Sequence, residues 1–252
     1  MRTIKVASWN IAGGCKISSL ANQFDYQSEN VDYFTKELKK HALDIVCLQE
    51  SHSNKSYSIG KKIASDLGFK YIFDSPHNQS HINPNYHLTL SILSRLPFKS
   101  TVENPLPNPN FTKDFPDGRH YQSFDEKIQV VQIENFFIAN TMLLPVGIFD
   151  ESYTSHKNKN WVKQIEQTFL DLSTPLIFCG DFNFNQPSML FPHLFKKNKF
   201  KNSLNNFVTR PHPVVKRLRP DKILYTSQFK LANSQVVKTD TDHYLCISEF
   251  IV

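Results

Sequence analysis

The chain has 252 residues, 40% of them hydrophobic and 21% charged, a globular balance that excludes a disordered chain or a small stapled scaffold. Lys and Arg number 29 against 23 Asp and Glu, a net charge of +6, which favours anionic partners such as nucleic acid, phospholipid surfaces or phosphorylated small molecules. No apolar run reaches the ~18 residues of a membrane helix and no signal peptide is visible, so a cytoplasmic protein without a membrane span is expected.

Ile4 to Trp9 reads as a strand that ends at Asn10, where Ala12, Gly13 and Gly14 break it. Asn30 is placed to cap a helix along which Val31, Phe34 and Leu38 recur at helical spacing. Asp44 to Gln49 follows as a nearly continuous apolar strand, the kind buried on both faces. Ile59, Ile63 and Leu67 form a second helical stripe, with Gly68 placed to end it. Phe69 to Phe73 reads as a strand, residues 74–87 as an exposed loop, and Leu88 to Ser94 as another strand. Residues 103–119 hold Pro105, Pro107, Pro109 and Pro116 and predict a long irregular connection.

Lys127 to Ile133 and Phe136 to Leu143 flank Glu134-Asn135 as two strands. Trp161, Ile165 and Phe169 make a third helical stripe. Pro175 to Cys179 is an apolar strand that runs directly into Gly180-Asp181-Phe182-Asn183. A short helix is expected over Met189 to Phe195, and three strands close the chain: Asp221 to Tyr225, Phe229 to Val237 and Tyr244 to Ile251. No linker divides the chain, so one domain over residues 1–252, with sheets covered by helices, is expected. Cys15, Cys47, Cys179 and Cys246 contain no C-x-x-C pair, and Cys47, Cys179 and Cys246, in apolar strand-like runs, are expected as buried free thiols. The glycines form neither a dinucleotide fingerprint nor a P-loop.

Several of the apolar strands begin or end in a polar residue able to do chemistry: Asn10, Glu50, Asp181 with Asn183, Asp221, and Asp242 with His243. In packed sheets such positions can converge in one mouth. Glu50 is a hard oxygen ligand suited to Mg²⁺ or Mn²⁺, which Asn10 and Asp242 could share. Asp181 could accept a proton from water, and Asn183 offers an amide donor to a phosphoryl oxygen. His243 can donate to a developing oxyanion, with Asp221 fixing its tautomer. A metal with an Asp base and a His donor suits in-line attack of water on a phosphoester. Each residue also has an ordinary reading: a turn cap at Asn10, a surface carboxylate at Glu50, a β-turn in Gly180–Asn183, an ion pair between Asp221 and Arg219, and a satisfied core histidine at His243. Those readings weaken together, because the same strand-end position recurs each time.

Ser8-Trp9-Asn10-Ile11, Leu48-Gln49-Glu50, Ser91-Ile92-Leu93-Ser94-Arg95, Gly180-Asp181-Phe182-Asn183, Arg219-Pro220-Asp221-Lys222-Ile223 and Thr241-Asp242-His243, taken in order, resemble the endonuclease/exonuclease/phosphatase superfamily. The resemblance implies a DNase I-like α/β fold, a four-layer sandwich of two mixed β-sheets flanked by helices, and divalent-metal-dependent cleavage of phosphate esters. It also implies that Glu50 binds the metal with Asn10 in support and Asp242 beside it. Asp181 would orient or activate the water, Asn183 would position the phosphate, and Asp221 would orient His243. One departure stands out: many members carry a second histidine in a Thr-His-Leu stretch, where this chain has Thr141-Met142-Leu143. Methionine is no proton donor. His120 and Tyr121 are the neighbours that could stand in.

The basic charge leans the substrate toward DNA or RNA and the protein toward a nuclease or phosphodiesterase; a monomer is expected. Lys196, Lys197, Lys199 and Lys201 alternate with Phe195 and Phe200, and Lys216, Arg217 and Arg219 precede Asp221. Such a mixture could meet phosphates while the aromatics stack on bases; a solvated lysine-rich face is the alternative. The other readings are a phosphoesterase of small phosphorylated molecules or phospholipid headgroups, and a non-catalytic binding module.

Overall fold

A computed structural model describes residues 2–19, 22–116, 118, 120–196, 199–215 and 217–252, with residues 22–24 described in backbone alone. Lys197 and Lys216 lie outside the described residues. In chain order the elements are β1 (Thr3–Asn10), β2 (Cys15–Ser19), β3 (Asn22–Glu29), α1 (Val31–Lys39), β4 (Ile45–Ser53), α2 (Ile59–Leu67), β5 (Tyr71–Gln79) and β6 (His87–Ser94). Then come β7 (Ser100–Pro105), β8 (Thr112–Asp114), β9 (His120–Gln122), β10 (Lys127–Ile133), β11 (Phe136–Met142) and α3 (Lys159–Leu170). The last part holds β12 (Leu176–Asp181), α4 (Pro187–Leu190), α5 (Pro192–Phe195), β13 (Phe200–Asn202), β14 (Asp221–Thr226), β15 (Lys230–Val237) and β16 (Leu245–Ile251).

The strands form two six-stranded sheets, ordered β15-β16-β1-β4-β6-β5 and β13-β14-β12-β11-β10-β7. In each sheet the central pair is parallel, β1 with β4 and β12 with β11, and the flanking pairs are antiparallel. Alternation along the strands divides their side chains between two faces. Val6, Ile45, Cys47 and Ile92 of the first sheet meet Val131, Ile138, Ile177, Cys179 and Ile223 of the second in a shared core. On the outer face of the first sheet, Trp9, Val46, Leu48 and Leu93 pack against Phe34 and Leu38 of α1 and Ile59 and Ile63 of α2. On the outer face of the second, Ile128, Val130, Phe178 and Leu224 pack against Val162, Ile165 and Phe169 of α3. The result is the expected sandwich of two mixed sheets between helices.

Local chemistry explains the element ends. The Asn30 side chain accepts from Tyr33 N to start α1, and Gly68, at φ 71°, ends α2 in the left-handed region. The four cysteines are buried and free. Among the described residues, no helix is long and apolar enough to cross a membrane.

Three expectations need correction. Residues 74–87 are not all loop, because β5 continues to Gln79 and pairs Asp74 with Ser91 and Pro76 with Thr89. The strand lies at a sheet edge, where polar residues and a proline are tolerated. Within residues 103–119 the chain finishes the edge strand β7 and forms β8, which pairs with β9 just beyond in a small hairpin. The helix expected from Met189 to Phe195 is two short ones, broken at Phe191 (φ −123°, ψ 62°) because Pro192 disfavours a helical residue before it. The hairpin of β2 and β3 carries no apolar pattern that would have announced it.

Candidate active site

The sheet registers bring the polar strand ends together. Asn10 and Gln49 pair at the end of the β1–β4 couple, and Met142 and Asp181 pair at the end of the β11–β12 couple. β14 runs antiparallel to β12, so its first residue, Asp221, lies opposite Asp181. The β1–β16 register ends at Ser8 and Cys246, which leaves His243 just beyond. Trp9 Nε1 fixes the backbone there by donating to His243 O at 3.0 Å. Gly180 allows the close approach of β12 to β11, since a Cβ would fall 2.4 Å from Thr141 O.

All seven residues singled out in the sequence meet at this end. The Asn10 amide nitrogen donates to Glu50 Oε1 at 2.8 Å and to Asp181 Oδ2 at 3.2 Å. Its oxygen accepts from Ala12 N at 3.1 Å. Glu50 sits at a β-bulge in β4 with φ 49°, the register against β6 shifting between Leu48 and Ser51. β4 runs on to Ser53, so Glu50 lies inside the strand and not at its end as expected, and the bulge re-aims its side chain. Asp181 Oδ1 accepts from Asn183 N at 2.8 Å, and Asn183, at φ 45°, donates a side-chain N–H to Leu143 O at 2.8 Å. His243 Nδ1 is 3.0 Å from each Asp221 oxygen, and its Nε2 is 3.6 Å from Asp181 Oδ2. Asp242 Oδ2 accepts from Tyr26 OH at 3.4 Å, with Arg210 Nη2 at 4.0 Å.

The cluster is buried except for Glu50 and Asn183, which are partly exposed. Burial alone would lower the His243 pKa, but the carboxylates of Asp221 and Asp181 outweigh it and raise it to about 9. Burial raises the Asp181 pKa against the pull of His243. It raises Asp242 too, and the Glu50 charge adds to that rise.

Two sets of donors could hold a cation. Asp181, Asp221 and His243 each offer a ligand atom within 4.8 Å of the others, but the imidazole is already engaged by Asp221. The second set is all oxygen: the Glu50 carboxylate and Asp242 Oδ1, which is buried and partnerless among the described residues. An orphan buried carboxylate oxygen is costly, and a hard divalent cation fits it.

Glu50, Asp181, Asn183, Asp242 and His243 line a cleft of about 1130 Å³, walled also by Tyr26, His81, Lys113, Phe115, Tyr121 and Phe124. Met142 is buried beside Asp181 and lines the same cleft. Of its suggested substitutes, Tyr121 lines the cleft, whereas His120 pairs with Asp114 at 2.7 Å on the exposed hairpin. Phe200 is a core residue, 3% exposed, so it offers no stacking face. Lys201 pairs with Tyr225, four residues along β14 from Asp221, which is about 13 Å of strand. Tyr26 and Arg210 were missed in the sequence: one lies on an unforeseen hairpin, the other in a loop without periodicity.

The model of the endonuclease/exonuclease/phosphatase family matches residues 7–243. Among solved structures, an endonuclease/exonuclease/phosphatase from Beutenbergia cavernae is 16% identical with a TM-score of 0.75, covering 100% of this chain and 72% of that one. The human nocturnin catalytic domain with bound sulfate is 15% identical, TM-score 0.63, covering 99% and 94%. A mannosyl-6-phosphatase from Bacteroides thetaiotaomicron is 13% identical, TM-score 0.57, covering 99% and 100%. No curated protein sequence matches the chain. With the family model spanning nearly its whole length and this fold beneath the site, the chain belongs to the endonuclease/exonuclease/phosphatase family, a superfamily of phosphoester hydrolases.

Proposed function

We propose that the protein is a Mg²⁺- or Mn²⁺-dependent phosphodiesterase that hydrolyses nucleic-acid phosphodiester bonds by in-line attack of water. The observation that carries this reading is the run of contacts Asp221–His243–Asp181–Asn10–Glu50, of which His243, Asp181 and Glu50 line one cleft. Asp181, its pKa raised by burial, accepts the proton of the attacking water. Asn10 and the backbone N–H of Asn183 hold one carboxylate oxygen each. The Asn183 amide has a second N–H for a phosphoryl oxygen. His243, its pKa raised to about 9, carries a proton and donates from Nε2 to the oxygen on which charge develops. Asp221 accepts from Nδ1 and fixes the ring. Glu50 and Asp242, with Asn10 beside them, would hold the divalent cation, which supplies Lewis-acid stabilisation of the phosphoryl charge. Lys113 and Arg210 on the cleft walls, with Phe115 and Tyr121, suit a phosphate chain bearing bases.

The test is hydrolysis of single- and double-stranded DNA, RNA, inositol phosphates and sphingomyelin in Mg²⁺, Mn²⁺ or EDTA. We expect nucleic-acid cleavage that is lost in EDTA and in Asp181→Asn. Turnover of small phosphoesters alone overturns the nucleic-acid reading, and no turnover of any substrate overturns the catalytic one.

A further inference from the structure

Arg210 is placed with more care than a surface arginine needs. It lies in the segment 203–220 that leads into β14. Its predecessor Thr209 is tied to both flanks of the catalytic pair. Tyr244 N donates to Thr209 O at 2.7 Å, and Asp221 N donates to Thr209 Oγ1 at 3.1 Å. Arg210 and Leu218 form an isolated antiparallel bridge across the loop. The arginine is therefore fixed relative to His243 and Asp221.

Its side chain stands between two spaces. On one side is the cleft with Asp181, Asp242 and His243. On the other is a pocket of about 390 Å³ walled by Asn183, Phe184, Asn185, Gln186, Leu218 and Pro220. Arg210 and Asn183 line both, so the two spaces share a boundary. The guanidinium is poorly used by the protein. It approaches Asp242 only to 4.0 Å, and its Nε is buried without a partner among the described residues. An arginine serving only to neutralise Asp242 would make a contact ion pair, with two short parallel bonds. A fork of unspent N–H donors, carried on an anchored backbone beside a pocket that also holds Asn183, Asn185 and Gln186, instead matches a phosphate in charge and geometry.

We propose that Arg210 and this side pocket form a second phosphate subsite, which takes a further phosphate group of the substrate next to the phosphoester that is hydrolysed. The subsite rests on the phosphoesterase reading above and narrows it to substrates with at least two phosphates, such as a nucleotide chain or a bisphosphorylated small molecule. Asn183 at the shared boundary links the scissile phosphate to the second one.

Calorimetric titration in Mg²⁺ tests it. The probes are thymidine 3′,5′-bisphosphate, the thymidine 3′- and 5′-monophosphates and fructose 1,6-bisphosphate. Wild-type protein should bind the thymidine bisphosphate roughly tenfold or more tightly than either monophosphate. Arg210→Gln should remove that difference, and Arg210→Lys, which keeps the charge without the fork, should retain part of it. Equal affinity for mono- and bisphosphate in the wild type overturns the subsite. So does a preference that survives in Arg210→Gln, or that is undiminished in Arg210→Lys. Fructose bisphosphate matching thymidine bisphosphate assigns the subsite to small molecules, and weaker binding assigns it to nucleotides. A bisphosphate preference in a protein that hydrolyses nothing sinks the catalytic reading and leaves the subsite. Hydrolysis without the preference does the reverse.

Discussion

His243 Nδ1 lies 3.0 Å from both carboxylate oxygens of Asp221, and this contact joins the loop before β16 in one sheet to the first residue of β14 in the other. The pair therefore sits across the seam of the sandwich, and its geometry depends on how the two sheets are held together. The same seam fixes the Nε2 atom 3.6 Å from Asp181.

His243→Ala should lower kcat by roughly 10²–10³, or ~2–4 kcal/mol of barrier, the usual cost of losing one donor to a developing oxyanion. KM should change little, because the donor acts on charge that appears only in the transition state. Steady-state kinetics on an oligonucleotide substrate checks this. An unchanged kcat removes His243 from the mechanism.

Glu50→Gln keeps the size of the side chain and the bond from Asn10 but removes one anionic oxygen donor. The Mg²⁺ or Mn²⁺ concentration for half-maximal activity should rise at least roughly tenfold, since even an outer partner of a ligand is worth that much. Calorimetric titration with Mn²⁺ gives the same comparison without turnover. A wild-type-like titration would mean that Glu50 is no ligand.

The seam itself can be tested at Gln49 and Asn140. Gln49 Nε2 donates to Asn140 Oδ1 at 2.7 Å, and the Asn140 amide donates to Leu48 O at 2.9 Å, all fully buried between the sheets. Asn140→Ala should destabilise by ~1–3 kcal/mol, because it leaves buried polar groups unpaired. The Gln49→Leu, Asn140→Leu double variant should cost less than the sum of its singles. Urea unfolding of the four proteins measures the coupling, and strict additivity would argue against a shared network.

Much of this site could be read in the sequence because its carriers are local. Gly180-Asp181 places a carboxylate at the end of a buried apolar strand, and Leu48-Gln49-Glu50 places one at the bulge where the apolar run of β4 stops, so strand pattern and chemistry coincide. What escaped is non-local. Tyr26 reaches Asp242 across 216 positions of chain, and the strand that carries it is too polar to show an alternation. Lys201 shows the same limit: its distance from the site is set by antiparallel pairing, which puts it opposite Tyr225, near the far end of β14 from Asp221.

A buried pair outside the catalytic run predicts how stability varies with pH. His77 Nε2 and Glu126 Oε2 are 3.6 Å apart, with side chains 1% and 5% exposed. That is ion-pair distance, yet burial drives both to their neutral forms: His77 falls to about 4, and Glu126 rises well above its usual value, helped by the charges of Glu50 and Asp181. Glu126 binds a proton in the folded state that the unfolded chain releases above about 4.5. Its contribution is therefore full below that pH and is lost as the pH rises. His77 acts in the opposite window, with stability lost as the pH falls from 6.5 toward 4. Glu126→Gln should flatten the alkaline side, gaining on the wild type from about pH 4.5 upward. Melting temperatures across that range decide it, and a wild-type slope in the variant would show that Glu126 is ionised when folded.

Met142 offers the sharpest test of the chemistry. It pairs with Asp181 in the sheet register and lines the cleft, but its thioether can protonate nothing. Met142→His would put an acid beside the reacting phosphate, a device worth roughly 10²–10⁴ when well aligned. The gain should be selective. An alkoxide leaving group, as in a nucleic acid, needs the proton, whereas a 4-nitrophenolate leaves without one. The ratio of kcat on an oligonucleotide to kcat on bis(4-nitrophenyl) phosphate should therefore rise in the variant. A gain on both substrates alike would point to altered binding. No gain on either would mean that another group already delivers the proton. Tyr121, on the wall of the same cleft, is then the residue to remove: Tyr121→Phe should lower the oligonucleotide rate and spare the nitrophenyl ester.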